Sequence, residues 1–124
     1  MARLDRHPAV EGPVVRGFAD GGFVVDERVY RTVLLTPLGV AEWSPPGLGE
    51  LGMPDLEPLL ALDPAPEFLL LGTGPRLAHP PRALRDALEG RGIGLEVMDS
   101  RAAARIWSLL RGEERWIAAA LMPL

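Results

Sequence analysis

The chain has 124 residues, 48% of them hydrophobic, with 14 glycines and 13 prolines, and that apolar fraction supports a packed core and excludes the disordered class. Its 13 basic residues, all arginine, stand against 17 acids, and the net charge of −4 argues against a nonspecific nucleic-acid binder, which needs a basic field to release phosphate counterions. Absence of cysteine removes disulfides, thiolate metal sites and cysteine nucleophiles, and two histidines, His7 and His79, leave little for a zinc centre.

A single domain over residues 1–124 is expected, opened by a lead-in arm at residues 1–13, where His7-Pro8 and Gly12-Pro13 carry no periodicity. From Val14 to Trp43 the pattern is β. Runs of β-branched and aromatic residues (Val14 to Phe18, Phe23 to Val25, Tyr30 to Leu35, Val40 to Trp43) alternate with Asp20-Gly21-Gly22, Asp26-Glu27 and Pro37-Leu38-Gly39, which predicts an antiparallel meander. Residues 44–53 form a Pro/Gly loop, and a short helix follows with Pro54 in its first turn and Leu56, Leu59 and Leu60 on one face, stopped by Pro64 and Pro66.

The second half changes character. Glu67 to Leu71 is a continuous apolar run ending in Gly72-Thr73-Gly74, as expected for a strand covered on both faces. A helix from Pro81 to Glu89 closes at Gly90 and Gly92, a strand spans Leu95 to Met98, Asp99 and Ser100 cap a helix from Arg101 to about Arg111, and Arg115 to Leu121 is a last strand. The whole reads as an α/β fold, an N-terminal β meander followed by βαβαβ units with right-handed crossovers. On the last helix Ile106, Trp107, Leu109 and Leu110, with Ala102 and Ala103, are assigned to the core.

Ligands of open parallel sheets bind beyond the carboxyl ends of the strands. Here those ends are Gly72, Thr73 and Gly74 after one strand and Asp99, Ser100 and Arg101 after the next, with Arg105 one turn further along the helix. Two readings stand for each. The glycines form either a plain strand-to-loop turn or a backbone that admits a ligand; Asp99 and Ser100 cap a helix or line a site; the arginines are a solvated face or hold an anion. The third glycine of the dinucleotide fingerprint and the lysine of a phosphate loop are missing. Neither a nucleophile elbow nor a triad is present, His79 reads as a surface residue, and no catalytic residue, metal or cofactor is expected. Trp43 and Trp116, each near a strand end, are candidates for an exposed apolar patch of the kind that meets a partner.

Tyr30, Pro37 and Trp43, then Leu69 to Gly74, then Gly92-Ile93 before Val97 to Ser100, together resemble the small domain family shared by mitochondrial complex I assembly factor 3 and the adipogenesis-associated Mth-like protein. The likeness runs from about Gly12 to Pro123 and is greatest over the closing stretch, Ser100, Ala102-Ala103, Arg105, Ile106, Trp107, Ser108, Leu110, Glu113 and Arg115. At Ile106, Trp107 and Ser108 the family pattern has threonine, tyrosine and asparagine. The resemblance implies a three-layer fold with a mixed central sheet, an assembly or interaction role, no established enzyme activity, and a binding region near the glycine turn and the arginine-bearing helix.

Two functions are therefore weighed: a non-catalytic interaction or assembly-factor-like module with a protein partner, and a binder of, or enzyme for, a small anionic ligand at Gly72 to Gly74 and Asp99 to Arg105. A homodimer through an unpaired meander edge is one further arrangement. No apolar run reaches the roughly 20 residues of a membrane span, and Met1 to Arg6 lacks a signal-peptide hydrophobic region, so the expected location is cytoplasmic.

Overall fold

A computed structural model describes residues 12–124. Most of the predicted lead-in arm, including His7-Pro8, lies outside the described residues; its end, Gly12-Pro13, lies against the body, with the Pro13 carbonyl accepting a hydrogen bond from Trp107 Nε1 at 3.0 Å.

Three strands, β1 (Val15–Ala19), β2 (Gly22–Val25) and β3 (Arg28–Tyr30), form an antiparallel sheet in sequence order. Asp20 and Gly21 connect the first two with φ of 53° and 74°, and positive φ at both positions matches the right-handed twist of a hairpin. The meander then divides. Its third run bends at Arg31-Thr32, and β4 (Val33–Thr36) with β5 (Gly39–Ala41) leaves for a second sheet. Thr32 Oγ1 fixes that bend by donating to the Trp43 carbonyl and accepting from Trp43 N.

The second sheet has five strands in the order β5-β4-β8-β6-β7, with β6 at Phe68–Gly72, β7 at Gly94–Met98 and β8 at Ala118–Leu121. β6 runs parallel to both β7 and β8, whereas β4 is antiparallel to β8 and β5, so the central sheet is mixed. Side chains alternate across it with period two. Leu34, Leu69, Leu71, Ala118 and Ala120 face a core shared with α1 (Glu57–Leu60), the 3₁₀ turn Met53–Leu56, and Leu84 and Leu88 of α2 (Arg82–Gly90). Val33, Leu35, Leu70, Ala119 and Leu121 face the opposite core, made by α3 (Ser100–Gly112) and the three-stranded sheet. Burial on both faces is why β6 reads as unbroken leucine. Alanines at three successive positions of β8 let both outer layers approach the centre.

On α3 the buried face is Ser100, Ala103, Ala104, Trp107 and Arg111, the 3.6-residue spacing of a helix lying on a sheet. Leu109, assigned to the core from sequence, is 58% exposed instead. It stands about 200° around the helix from Trp107, at 100° per residue, and faces away from both sheets.

Where β6 begins, Glu67 meets Arg115. Arg115 Nη2 donates to Glu67 Oε1 at 2.7 Å and its Nε to Oε2 at 3.4 Å, and the guanidinium carbon lies 5.7 Å from the Phe68 ring centroid. The hydrogen bond from Arg115 holds the Glu67 carboxyl below its ordinary range. A depressed carboxyl pKa stabilises the fold above the unfolded value and loses that contribution as pH falls through the folded one. Both side chains are exposed, so the effect is small and screened by salt. Glu67→Gln is expected to lower the melting temperature slightly near neutrality, and the gap from wild type should close as thermal melts are taken into acid.

Candidate functional site

The topology brings the two predicted strand ends together. Thr73 N donates to the Met98 carbonyl at 2.9 Å, and Ser100 N donates to the Gly74 carbonyl at 2.8 Å. Gly74 N donates to Ser100 Oγ at 2.9 Å, and that hydroxyl donates onward to the Met122 carbonyl at 2.7 Å. Met122 N in turn donates to the Gly72 carbonyl at 3.0 Å. One fully buried serine thus ties the ends of β6 and β8 to the start of α3, using its donor and an acceptor lone pair on backbone groups.

Gly72 owes its lack of a side chain to this junction. A Cβ there would stand 2.8 Å from both Cα and Oγ of Ser100 and 2.9 Å from Leu121 Cδ2, closer than packed atoms come. Gly74 has φ of +109°, a conformation that glycine adopts freely. Thr73 Oγ1 donates to the Arg76 carbonyl at 2.7 Å and accepts from Ala78 N at 3.1 Å, which folds the loop beyond the turn. Asp99 is the N-cap of α3, its Oδ2 accepting from Ala102 N at 3.0 Å, and the helix begins at Ser100, one residue before the sequence placed it.

Arg101 and Arg105 lie apart from this hydrogen-bonded cluster. Both are exposed and turn to β1, with guanidinium carbons 4.6 and 5.7 Å from the centroid of the Phe18 ring. The seven candidate ligand residues therefore separate into five at the junction and two on Phe18. Phe18 itself was not singled out from sequence, because its meeting with α3 is a tertiary event that no local pattern encodes.

Both tryptophans proposed as a patch are half-buried. Trp43 Nε1 donates to the Leu121 carbonyl at 3.1 Å, and Trp116 Nε1 to the Pro64 carbonyl at 2.6 Å. Among the described residues the exposed large apolar side chains are Val29, Leu38, Leu77 and Leu109. Open clefts among the described residues include one of about 370 Å³ lined by His79, Pro80, Arg82, Arg85, Asp86 and Glu89, and one of about 660 Å³ lined by Arg16, Asp26, Glu27 and Arg28. Among the described residues no cluster of histidine and carboxylate side chains has metal-binding geometry, and no helix is long and apolar enough to cross a membrane.

Three layers around a mixed five-stranded sheet define an α/β protein of the Mth938-like kind. The chain belongs to the family described as "Protein of unknown function (DUF498/DUF598)", which matches residues 15–122. It is similar to an uncharacterised protein of Rhodobacter capsulatus, 34% identical over 121 residues that cover 96% of this chain and 92% of that protein. It is also similar to NADH dehydrogenase [ubiquinone] 1 alpha subcomplex assembly factor 3 of Danio rerio, 29% identical over 93% of this chain and 67% of the relative. The solution structure of a Bordetella pertussis Mth938-like domain superimposes with a TM-score of 0.79 at 27% identity, covering 98% of this chain and 92% of that one.

Trp107 is fully buried and bonds the Pro13 carbonyl. Ser108 Oγ accepts from Val15 N at 2.9 Å and donates to Val15 O at 3.0 Å. Together they fasten the start of β1 to α3.

Proposed function

We propose that the chain is a non-catalytic interaction module, assembly-factor-like in keeping with the relatives it is similar to, and that it works by holding a protein partner. The observation that carries this reading is the burial of Ser100. At the strand ends, where a parallel sheet usually presents ligand-binding groups, the serine hydroxyl and the backbone of Gly72, Gly74 and Met122 are bonded to one another. Meanwhile Leu38, Leu77 and Leu109 remain exposed, and Trp43 and Trp116 are half-buried. Exposed apolar side chains and partly exposed aromatics of this kind support a protein contact.

The test is affinity capture from the native host with chemical cross-linking. Wild type should retain a protein partner, and Leu109→Ser or Trp116→Ala should reduce its recovery. In parallel, a thermal-shift panel of nucleotides and sugar phosphates should be flat, whereas a ligand at about 100 times its Kd would add roughly 2.7 kcal/mol. A clear shift with one such compound, lost on Thr73→Ala, would favour the anionic-ligand reading and overturn this one.

A further inference from the structure

Arg101 and Arg105 are one helical turn apart on α3, and both place their guanidinium carbons within 6 Å of one ring, at 4.6 and 5.7 Å from the Phe18 centroid. Contacts of that length are cation–π contacts. The ring is itself packed against fully buried Phe23, in an edge-type contact at 6.1 Å and 62°. Two long side chains that would otherwise sample many rotamers are thereby pre-ordered, which lowers the entropy lost when they bind something.

Their charge is unanswered within the described residues. The ion pair found there is Arg115 with Glu67, at the other end of β6. Asp99, the acid nearest in sequence, has an oxygen engaged by Ala102 N as the helix cap. Like charges one turn apart on a helix repel. A guanidinium resting against a ring keeps in-plane N–H donors for a second partner, and its fork matches a carboxylate.

We propose that Arg101 and Arg105, seated on Phe18, form a docking ledge for two carboxylates of an acidic segment in a partner protein. Each arginine brings its own fork to the ring, and one bidentate fork per carboxylate matches a segment that carries two acidic side chains. The net charge of −4 disfavours a dense polyanion such as nucleic acid at the same place. This inference rests on the interaction-module reading and names the chemistry of the partner.

The probe is an N-acetylated, C-amidated alanine-based peptide with two glutamates four residues apart, titrated into isotopically labelled protein and followed by NMR. Saturable shifts are expected at the Phe18 amide and the Arg101 and Arg105 Nε–H signals. Arg101→Gln with Arg105→Gln should weaken binding by about tenfold or more, and added salt should weaken it too. Both positions are exposed, so the amide spectrum away from α3 and from the Phe18 neighbourhood of β1 should stay unchanged and report an intact fold. Phe18→Leu, which keeps both charges but removes the ring, should give intermediate binding.

Peptide shifts that are absent, that map elsewhere, that persist in the double variant, or that a glutamine-for-glutamate peptide reproduces would overturn the ledge. So would saturation of the same signals by inorganic phosphate with no response to the peptide. A host partner captured equally by wild type and the double variant would also refute the ledge while leaving the interaction reading standing.

Discussion

Trp107→Ala is expected to destabilise the protein by about 3–5 kcal/mol, a large part of the roughly 5–15 kcal/mol that holds an ordinary domain together. The indole is completely buried between the central sheet and the three-stranded sheet, in the cluster that contains Phe23, Tyr30, Leu35, Leu70 and Ile117. Truncation opens a cavity in that layer, and it also leaves the carbonyl of buried Pro13 without its donor. Trp107→Phe separates the two contributions. It keeps most of the apolar volume and removes the donor, so a loss of about 1–2 kcal/mol is expected. Chemical denaturation with tryptophan fluorescence and far-UV circular dichroism checks both, and an alanine variant within 1 kcal/mol of wild type by this rough scale would refute the assigned packing.

Ser100→Ala is expected to cost about 2–4 kcal/mol, because it strands two buried backbone groups, Gly74 N–H and the Met122 carbonyl, for the removal of a single oxygen. A solvated cap residue would cost only about 1 kcal/mol on the same substitution, so the size of the loss distinguishes a junction from a cap. Gly72→Ala should act in the same direction, by about 1–3 kcal/mol from overpacking, since its new Cβ presses on the backbone of Ser100 as well as on the hydroxyl. The two sites touch, so their combined effect should not be additive.

Much of the architecture is legible in the sequence, for reasons that differ by element. The Leu69-Leu70-Leu71 run has no polar alternation because it is covered twice, and that fact alone places it at the centre of a parallel arrangement. Asp99 at the head of an apolar helical stripe marks the helix start through the chemistry of capping, and the structure begins α3 at the next residue. The run from Tyr30 to Leu35 misleads. Its β-branched residues fit a strand equally well in either sheet, and the bend that sends β4 into the central sheet depends on Thr32 reaching the backbone of Trp43, eleven residues away.

The site shows the same division. That Gly72 to Gly74 and Asp99 to Ser100 are neighbours follows from the order of strands and crossovers, and the structure joins them by direct hydrogen bonds. What stands against Gly72 could not be read locally, because Ser100 and Leu121 arrive from distant parts of the chain. Arg101 and Arg105 announce a shared helix face by spacing alone. Their seat on Phe18 required β1 to cross α3, an arrangement fastened by Trp107 with Pro13 and Ser108 with Val15. Leu109 reads as core because it is leucine, yet the face of its helix decides its burial.

In the proposed interaction module the strand-end junction belongs to the fold, and function is left to the surface. Native-state hydrogen exchange of the Gly74 amide distinguishes a structural tie from a ligand site, since that N–H is held by the buried Ser100 hydroxyl. If the junction is a structural tie, this amide should exchange only through global unfolding, with the same free energy as core amides of β6 and β8, and Ser100→Ala should speed it sharply. Exchange through a local opening in the wild-type protein, well below the global free energy, would mark a turn that yields to a ligand and would contradict the account.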